Sequence, residues 1–591
     1  MRLSFTKTAL LFLLFGMTVK GFSKNIAFVC FHEKSEVLPT LNKIKLNGYF
    51  NEVTLGDTLV ERFSNDKNRT VNIIPEPVSM QISEGRYIID RAASIYFNSK
   101  DAELSKHAGF LSTAIESLSG IKLKKAVSAN KAAIQLVISK SDVIGKEGYN
   151  LRVTEKGIVI SANTDKGIFY GIQTLLQIMP AIRTNQKLQI PRLAITDYPR
   201  FQWRGMMLDV SRHFFSPEAI KNYIDLLASY KMNVFHWHLA DAEGWRLEIK
   251  KYPKLTSVGA WRQEMPGSIF YKKEQKLTGE PFSYGGYYTQ EQVKEIIAYA
   301  VKRNVTVVPE IEMPGHSDAA IAAYPEFGCT GKPQGVRTSM GPFPGAEANF
   351  CAGKESTFLF LQDVLQEVIQ LFPSSYIHVG GDEVDKKCWE NCSLCQKRMK
   401  TEGLKDVKEL QSYFIKRIGK FLTAKGRKMI GWDEILEGGL APNATVMSWR
   451  GEKGGIDAAK LQHDVIMTPA KVLYFNRYQA DTLKVQQRLA AKFSINSLKK
   501  VYDYEPVPKE LNADEARFVL GAQACLWTEF ISSVPHLEQM TMPRMLALSE
   551  VLWSPLAQKN WNQFKEKVPV HTNRLGIGGI GFFFSEFLTI E

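Results

Sequence analysis

Eight times after Pro199 the chain passes from a short run of β-branched, aliphatic or aromatic residues into a stretch with apolar side chains at helical spacing, and no other feature narrows the fold as far. The candidate strands are residues 205–210, 233–239, 305–311, 376–379, 428–432, 445–449, 464–468 and 519–527. Ser216-Pro217 offers an N-cap and a first-turn proline ahead of Ile220, Tyr223, Ile224 and Leu227. Further helices are expected over 289–303, 356–372 and 407–424, the last with Leu410, Phe414, Ile418 and Phe421 on one face. Strand and helix alternating over about 350 residues predict an α/β fold, a (β/α)8 TIM barrel with insertions. At 591 residues the chain exceeds one ordinary domain, and 45% hydrophobic content supplies more than one core.

Ahead of the barrel the pattern differs. Short alternating segments at 86–89, 133–138, 149–153 and 158–162 read as strands, the last two joined by a turn at Glu155-Lys156-Gly157. Leu104, Ala108, Leu111, Ile115 and Leu118 recur at helical spacing and stop at Gly120; a second helix runs over 166–179, before Pro180. This predicts a small α+β domain over residues 72–199, closing near Pro191 to Pro199, then the barrel over 200–556 and a C-terminal segment over 557–591. Residues 24–71 show no periodicity and are unassigned, and the tail from Gly576 carries no pattern. Residues 1–23, with Arg2, Lys7 and an apolar run from Ala9 to Val19 too short to span a bilayer, read as a signal peptide. An exported chain, periplasmic or secreted and without a transmembrane segment, is therefore expected.

The formal net charge of +14 invites a nucleic-acid partner, but Lys and Arg are interleaved with acids along the whole chain, so a solvated basic surface is the reading. Seven cysteines in an exported chain permit disulfides, and Cys329 and Cys351, which bracket a Gly/Pro-rich loop, are a candidate pair. Cys388, Cys392 and Cys395 lie close together and raise a metal site as an alternative. A structural zinc site takes four ligands, usually as two separated pairs, and no second Cys or His cluster stands near in sequence. A loop disulfide or free thiols is preferred, and neither metal nor cofactor is expected.

The C-terminal strand ends of such a barrel form its active face. They deliver Asp209 and Arg212; His236, His238 and Asp241; Glu310, Glu312 and His316; His378, Asp382 and Glu383; Trp432, Asp433 and Glu434; Trp449; Tyr474 and Asn476; and Trp527 with Glu529. Carboxylates, an arginine and three indoles suit a sugar, whose hydroxyls need directed donors and acceptors while its apolar face stacks on an aromatic ring. At Tyr376-Ile-His-Val-Gly-Gly-Asp-Glu-Val-Asp the two glycines let the backbone turn sharply, and two adjacent acids follow that turn. His236 and His238 are read as packed, hydrogen-bonded histidines, one facing the barrel interior and the other outward. Glu310, Glu312 and His316 are an alternative divalent-metal set, without a recognised ligand spacing.

The segments Arg204-Gly-Met-Met-Leu-Asp-Val-Ser-Arg-His-Phe, Phe235-His-Trp-His-Leu, Pro309-Glu-Ile-Glu-Met-Pro-Gly-His and His378-Val-Gly-Gly-Asp-Glu strongly resemble glycoside hydrolase family 20, the β-N-acetylhexosaminidases. Gly431-Trp-Asp-Glu-Ile and Ala524-Cys-Leu-Trp-Thr-Glu resemble its later motifs, and the preceding α+β domain looks like that family's own. The resemblance implies hydrolysis of terminal β-linked N-acetylglucosamine or N-acetylgalactosamine from glycans, through attack by the substrate's own acetamido oxygen. It makes Glu383 the general acid and base, its pKa raised toward neutrality by a neighbouring carboxylate and a partly desolvated cleft. It makes Asp382 and Tyr474 the partners of the acetamido group, and His316 with Asp241 the pair that orients the acid. Arg212, Glu529 and Asn476 would hold ring hydroxyls, with Trp432, Trp449 and Trp527 forming an aromatic box. Two departures stand out: Asp241-Ala242-Glu243 replaces a common Asp-Asp-Gln, removing the second acid's hydrogen bonds, and Asn476 stands where an aspartate is common. A disaccharide-releasing relative of the lacto-N-biosidase kind, or a sugar-binding protein without catalysis, are the alternative readings.

Overall fold

A computed structural model describes residues 71–181, 184, 187–263, 283–338, 347–483, 487 and 490–584, so the expected signal peptide lies outside the described residues. The chain first forms a seven-stranded sheet from β1 (Ser79–Ile89), β2 (Ser94–Tyr96), β3 (Lys124–Lys125), β4 (Ile134–Ile138), β5 (Tyr149–Thr154), β6 (Gly157–Ala162) and β7 (Leu188–Asp197), in the order β1-β7-β5-β6-β4-β2-β3. Tyr149, Leu151 and Val153 of β5 are buried while the residues between them are not, the two-residue period of a half-covered strand. Helices α1 (Ala102–Ser119) and α2 (Asp165–Ile178) accompany the sheet. Asp101 caps α1 by accepting from the Glu103 and Leu104 N–H groups, and Gly120 ends it at φ 71°.

β7 corrects the sequence reading. The stretch near Pro191 to Pro199, where the domain was expected to close and no strand was read, is largely strand, paired with β1 along Leu188–Thr196 and with β5 only from Leu193 onward. Pro191 therefore sits where one flank of the strand has no partner, the setting in which a sheet tolerates a residue without an N–H.

The eight apolar runs beyond it close into a parallel barrel of β8 (Trp203–Asp209), β9 (Val234–His238), β10 (Thr306–Glu310), β11 (Tyr376–His378), β12 (Lys428–Trp432), β13 (Thr445–Ser448), β14 (Val465–Met467) and β15 (Val519–Leu526). Each lies within about two residues of its expected position, the usual scatter of element ends. Met207, Val308, Ile430, Met447, Ile466 and Cys525 pack together as one buried cluster of barrel-strand side chains. Ser216 caps the helix Pro217–Ser229 through the Ala219 N–H, and Thr289 with Gln292 forms a capping box on Gln290–Val301.

The sheet meets the barrel through buried charges at the N-terminal ends of the strands, opposite the active face. Arg204 donates from Nη1 and Nη2 to both oxygens of Glu147, at 3.0 and 3.1 Å. Lys231 Nζ, fully buried, lies 2.8 Å from Asp197 Oδ2 and 3.0 Å from the Tyr149 hydroxyl, while Trp553 Nε1 donates to Asp197 Oδ1 at 2.8 Å. Lys231→Met would strand Asp197 as a buried charge without its cation, a loss of about 3–5 kcal/mol. A matching fall in the denaturant midpoint, with kcat of the folded fraction unchanged, is the expected result; an unmoved midpoint would show that this pair holds nothing.

Candidate active site

Glu310, at the C-terminal end of β10, organises the top of the barrel. His378 Nδ1 and Trp432 Nε1 both stand 2.9 Å from its Oε1, His236 Nε2 lies 3.0 Å from Oε2, and His238 Nδ1 bonds the same oxygen. Burial opposes its charge, yet His238, His378 and His236 outweigh that and hold Glu310 well below the usual carboxylate range. Both His236 and His238 thus face the interior, contrary to expectation, because residues two apart on a strand share a face. Gln523 Nε2 lies 2.8 Å from His236 Nδ1, and burial lowers that ring to about 4, leaving it neutral. His238 faces two carboxylates, with Nε2 also 2.8 Å from Asp241 Oδ2. Burial would lower it, but Glu310 and Asp241 push it up to about 10, and it stands as an imidazolium. Glu310 thus anchors the barrel top; of the alternative metal set Glu310, Glu312 and His316, the first two lie close to His238 and the third to Asp382 and Glu383.

The two acids enter after β11 through a turn only glycine can make. Gly380 (φ 68°) and Gly381 (φ 98°) are left-handed, and a Cβ on Gly380 would stand within 2.0 Å of the Glu312 carboxylate. Gly381 N–H donates to Glu312 Oε1 at 3.0 Å. Burial, then Asp382 and Glu310, push Glu312 well above the usual range, so it sits protonated beneath the acids. Glu383 and His316 also carry positive φ, 47° and 50°. Such backbone costs a non-glycine residue roughly 1–3 kcal/mol and is kept where the surroundings over-determine it.

A relay connects these residues. Asp241 Oδ1 is 3.1 Å from His316 Nδ1, and His316 Nε2 faces Glu383 Oε2 at 3.5 Å and Asp382 Oδ2 at 3.8 Å. Burial disfavours charge on His316, but Asp241 reverses this and holds the ring protonated, well above the usual value. The expected rise in Glu383 is not what the site gives: the His316 N–H directed at it draws it below the ordinary value against the opposing effect of burial. Asp382 is the raised carboxyl. Burial lifts it, His316 opposes, and Glu310, Glu383 and Asp241 add to the rise, to about 6. Its Oδ1 is buried with no hydrogen-bond partner.

Arg212 is caged by carboxylates: Nε donates to Glu243 Oε2 at 2.9 Å, Nη2 lies 2.9 Å from Asp241 Oδ2, and Nη1 lies 3.3 Å from Asp209 Oδ2. A guanidinium has five N–H donors, so two remain after these three contacts. Glu243, whose predecessor Ala242 marked the departure from Asp-Asp-Gln, therefore carries a bond of its own. Nearby, Asn476 Nδ2 donates to Glu529 Oε2 at 3.4 Å, Asn476 Oδ1 has no partner, and burial, only partly offset by Arg212, pushes Glu529 up to about 7.

The aromatic group is graded in depth. Trp432 is wholly buried and tied to Glu310, so it backs the pocket, whereas Trp449 is half-buried. Trp449 and Tyr474 stack with centroids 6.0 Å apart at 13°, and Trp527 stands 6.1 Å from Tyr474 and 5.8 Å from Trp432. Burial first, then Cys525 and Asp382, raise the Tyr474 phenol well above its usual value, which keeps it a donor. Glu434, outside the expected site set, accepts from Trp449 Nε1 at 2.9 Å; burial and Asp382 push it up to about 8. Its place at a strand end was read from the sequence, but its bond to Trp449 was not, since an acid behind an indole has no spacing signature.

The Cys329–Cys351 pairing is not formed: every cysteine among the described residues is free, and Cys329 and Cys351 instead converge with Cys392 and Cys395.

The sequence model of the Glycosyl hydrolase family 20 catalytic domain matches residues 201–556, and that of the family's domain 2 matches residues 70–198. A beta-hexosaminidase of Porphyromonas gingivalis is 44% identical over 523 residues, 87% of this chain and 64% of that protein, so the chain spans less than two thirds of that relative. A beta-hexosaminidase of Vibrio furnissii is 35% identical over 81% of this chain and 76% of its own length. Among solved structures, the family 20 exo beta-N-acetylglucosaminidase of Vibrio harveyi, crystallised with N-acetylglucosamine, superposes with a TM-score of 0.77 at 30% identity, covering 87% of this chain and 78% of that one. Barrel, strand-end acids and sequence agree, and the chain belongs to glycosyl hydrolase family 20.

Proposed function

We propose that this protein is an exo-acting β-N-acetylhexosaminidase that releases terminal β-linked N-acetylhexosamine from glycans with retention. The observation that carries the reading is the pairing of Asp382, with an unpartnered buried oxygen, and Glu383, faced by a protonated His316. The beta-hexosaminidase relatives support it.

In this reading the acetamido group enters between Trp449, Tyr474 and Trp527. Its oxygen attacks the anomeric carbon while Glu383 gives its proton to the departing glycosidic oxygen. Asp382 Oδ1 accepts the acetamido N–H and stabilises the oxazolinium, and the Tyr474 phenol donates to the carbonyl oxygen to hold it in line. Water, deprotonated by Glu383, then opens the ring, and the second displacement restores the original configuration. Asp241 and His316 are positioning residues. The sugar itself completes the acid: the Glu383 side chain is 60% exposed, and a bound ring would strip its solvent and raise its pKa. The two remaining N–H groups of Arg212, with Glu529 and Asn476, are suited to outer hydroxyls.

Hydrolysis of a chromogenic N-acetylglucosaminide followed by NMR is expected to release the β-anomer first, and the matching glucoside, lacking the acetamido group, to turn over at least roughly 1,000-fold more slowly. An inverted product or comparable glucoside turnover would refute substrate assistance. No turnover of any N-acetylhexosaminide would leave only a binding protein.

A further inference from the structure

We infer that Cys329, Cys351, Cys392 and Cys395 bind a tetrahedral thiophilic metal ion, zinc in the first instance, that clips together the two loops carrying His316 and the Asp382-Glu383 pair. The four sulfurs lie within 4.8 Å of one another. Cys351 Sγ is 3.7 Å from Cys395 Sγ and 3.8 Å from Cys392 Sγ, and Cys329 Sγ is 3.8 Å from Cys395 Sγ. Four thiolates at about 2.3 Å from a central zinc stand about 3.8 Å apart along the edges of a tetrahedron. A disulfide would need about 2.0 Å.

The surroundings fit a closed structural site. Cys351, Cys392 and Cys395 are buried and Cys329 is half-buried, leaving no open position for a substrate. Cys392 stands at the N-cap position of the helix Ser393–Glu402, its sulfur making no cap bond, and Cys395 lies in the first turn, where the backbone N–H groups favour thiolate. The Gly353 N–H is directed at the Cys351 sulfur. A Cβ on Gly353 would come within 2.3 Å of the Leu394 backbone, so the loop bearing Cys351 can press against this helix only because that residue is glycine. The two pairs absent from the local sequence pattern are thus supplied across the fold: Cys329 and Cys351 from the segment after β10, Cys392 and Cys395 from the segment after β11. On binding, each thiol releases its proton to solvent and the ion takes four thiolates.

The same two segments meet through other contacts. Asn349 donates to the Asp385 carbonyl and Trp389 Nε1 to the Phe350 carbonyl at 2.9 Å, while within the first segment Phe350 N–H donates to the Pro314 carbonyl, two residues before His316, at 2.9 Å. A metal at the cysteines would hold His316 and Glu383 at fixed spacing through these loops.

Elemental analysis of the full-length protein purified without chelator is expected to give one zinc per chain; iron in its place would support the same tetrathiolate site with a different ion. Replacement by cobalt(II) is expected to produce the sulfur-to-metal charge-transfer and visible bands of a tetrahedral tetrathiolate. Cys392→Ser and Cys395→Ser should each lose the metal, while Cys388→Ser and Cys525→Ser should retain it. Should the ligand variants fail to fold, the cobalt spectrum of the unaltered protein decides. Metal-free protein with the four thiols free, or peptide maps joining any two of them as a disulfide, overturns the inference.

Discussion

Asp382→Asn is expected to lower kcat on an aryl N-acetylglucosaminide by roughly 100- to 1,000-fold, the usual loss when one preorganised group facing developing charge is removed. The side chain lies between His316, whose charge it faces at 3.8 Å, and a pocket into which its unpartnered Oδ1 is buried. As the acetamido nitrogen becomes cationic, a carboxylate there gains far more than an amide can. The loss should therefore fall on kcat and on affinity for a thiazoline mimic of the oxazolinium, and much less on affinity for N-acetylglucosamine itself. Because burial and nearby acids raise Asp382 to about 6, protonation disables it below that pH. The rate of the unaltered enzyme should decline as pH falls through about 6, and this limb should flatten in Asp382→Asn. A variant with normal kcat and a raised KM would sink the assignment.

Glu383→Gln should show its cost through the leaving group. An aglycone that leaves as a stable anion needs little protonation, whereas an alkyl or sugar alcohol needs it fully; the loss should be small for the first and roughly 100- to 10,000-fold for the second. His316, held protonated by Asp241, faces the Glu383 carboxylate with Nε2 at 3.5 Å, so Asp241→Asn should lower activity without touching the substrate. Equal losses across leaving groups of widely different basicity would deny Glu383 the role of acid.

The strands of the barrel were legible because each is a continuous apolar run between helices of clear period, and the Gly380-Gly381-Asp382-Glu383 turn because two glycines before two acids have few other uses. β7 escaped because Pro191 reads as a breaker, and only the absence of a neighbour beside it, a fact of topology, makes it admissible. The cage around Arg212 was half legible: Asp209 and Asp241 stood at strand ends, but the loss of the second acid at Ala242 drew attention away from Glu243, which supplies a bond of its own. The convergence of Cys329 and Cys351 with Cys392 and Cys395 could not be read at all, since it depends on two loops from adjacent strands folding over one another.

The buried contacts of Arg204 with Glu147 and of Lys231 with Asp197 bear on how this architecture can be divided. A barrel excised at Pro199 would carry two cations on its underside with their counter-charges cut away. A chimera with a foreign leading sheet would have to bring its own acids in register. The catalytic half is thus no free-standing cassette, and recombination at this seam should succeed only where Glu147 and Asp197 travel with the cut.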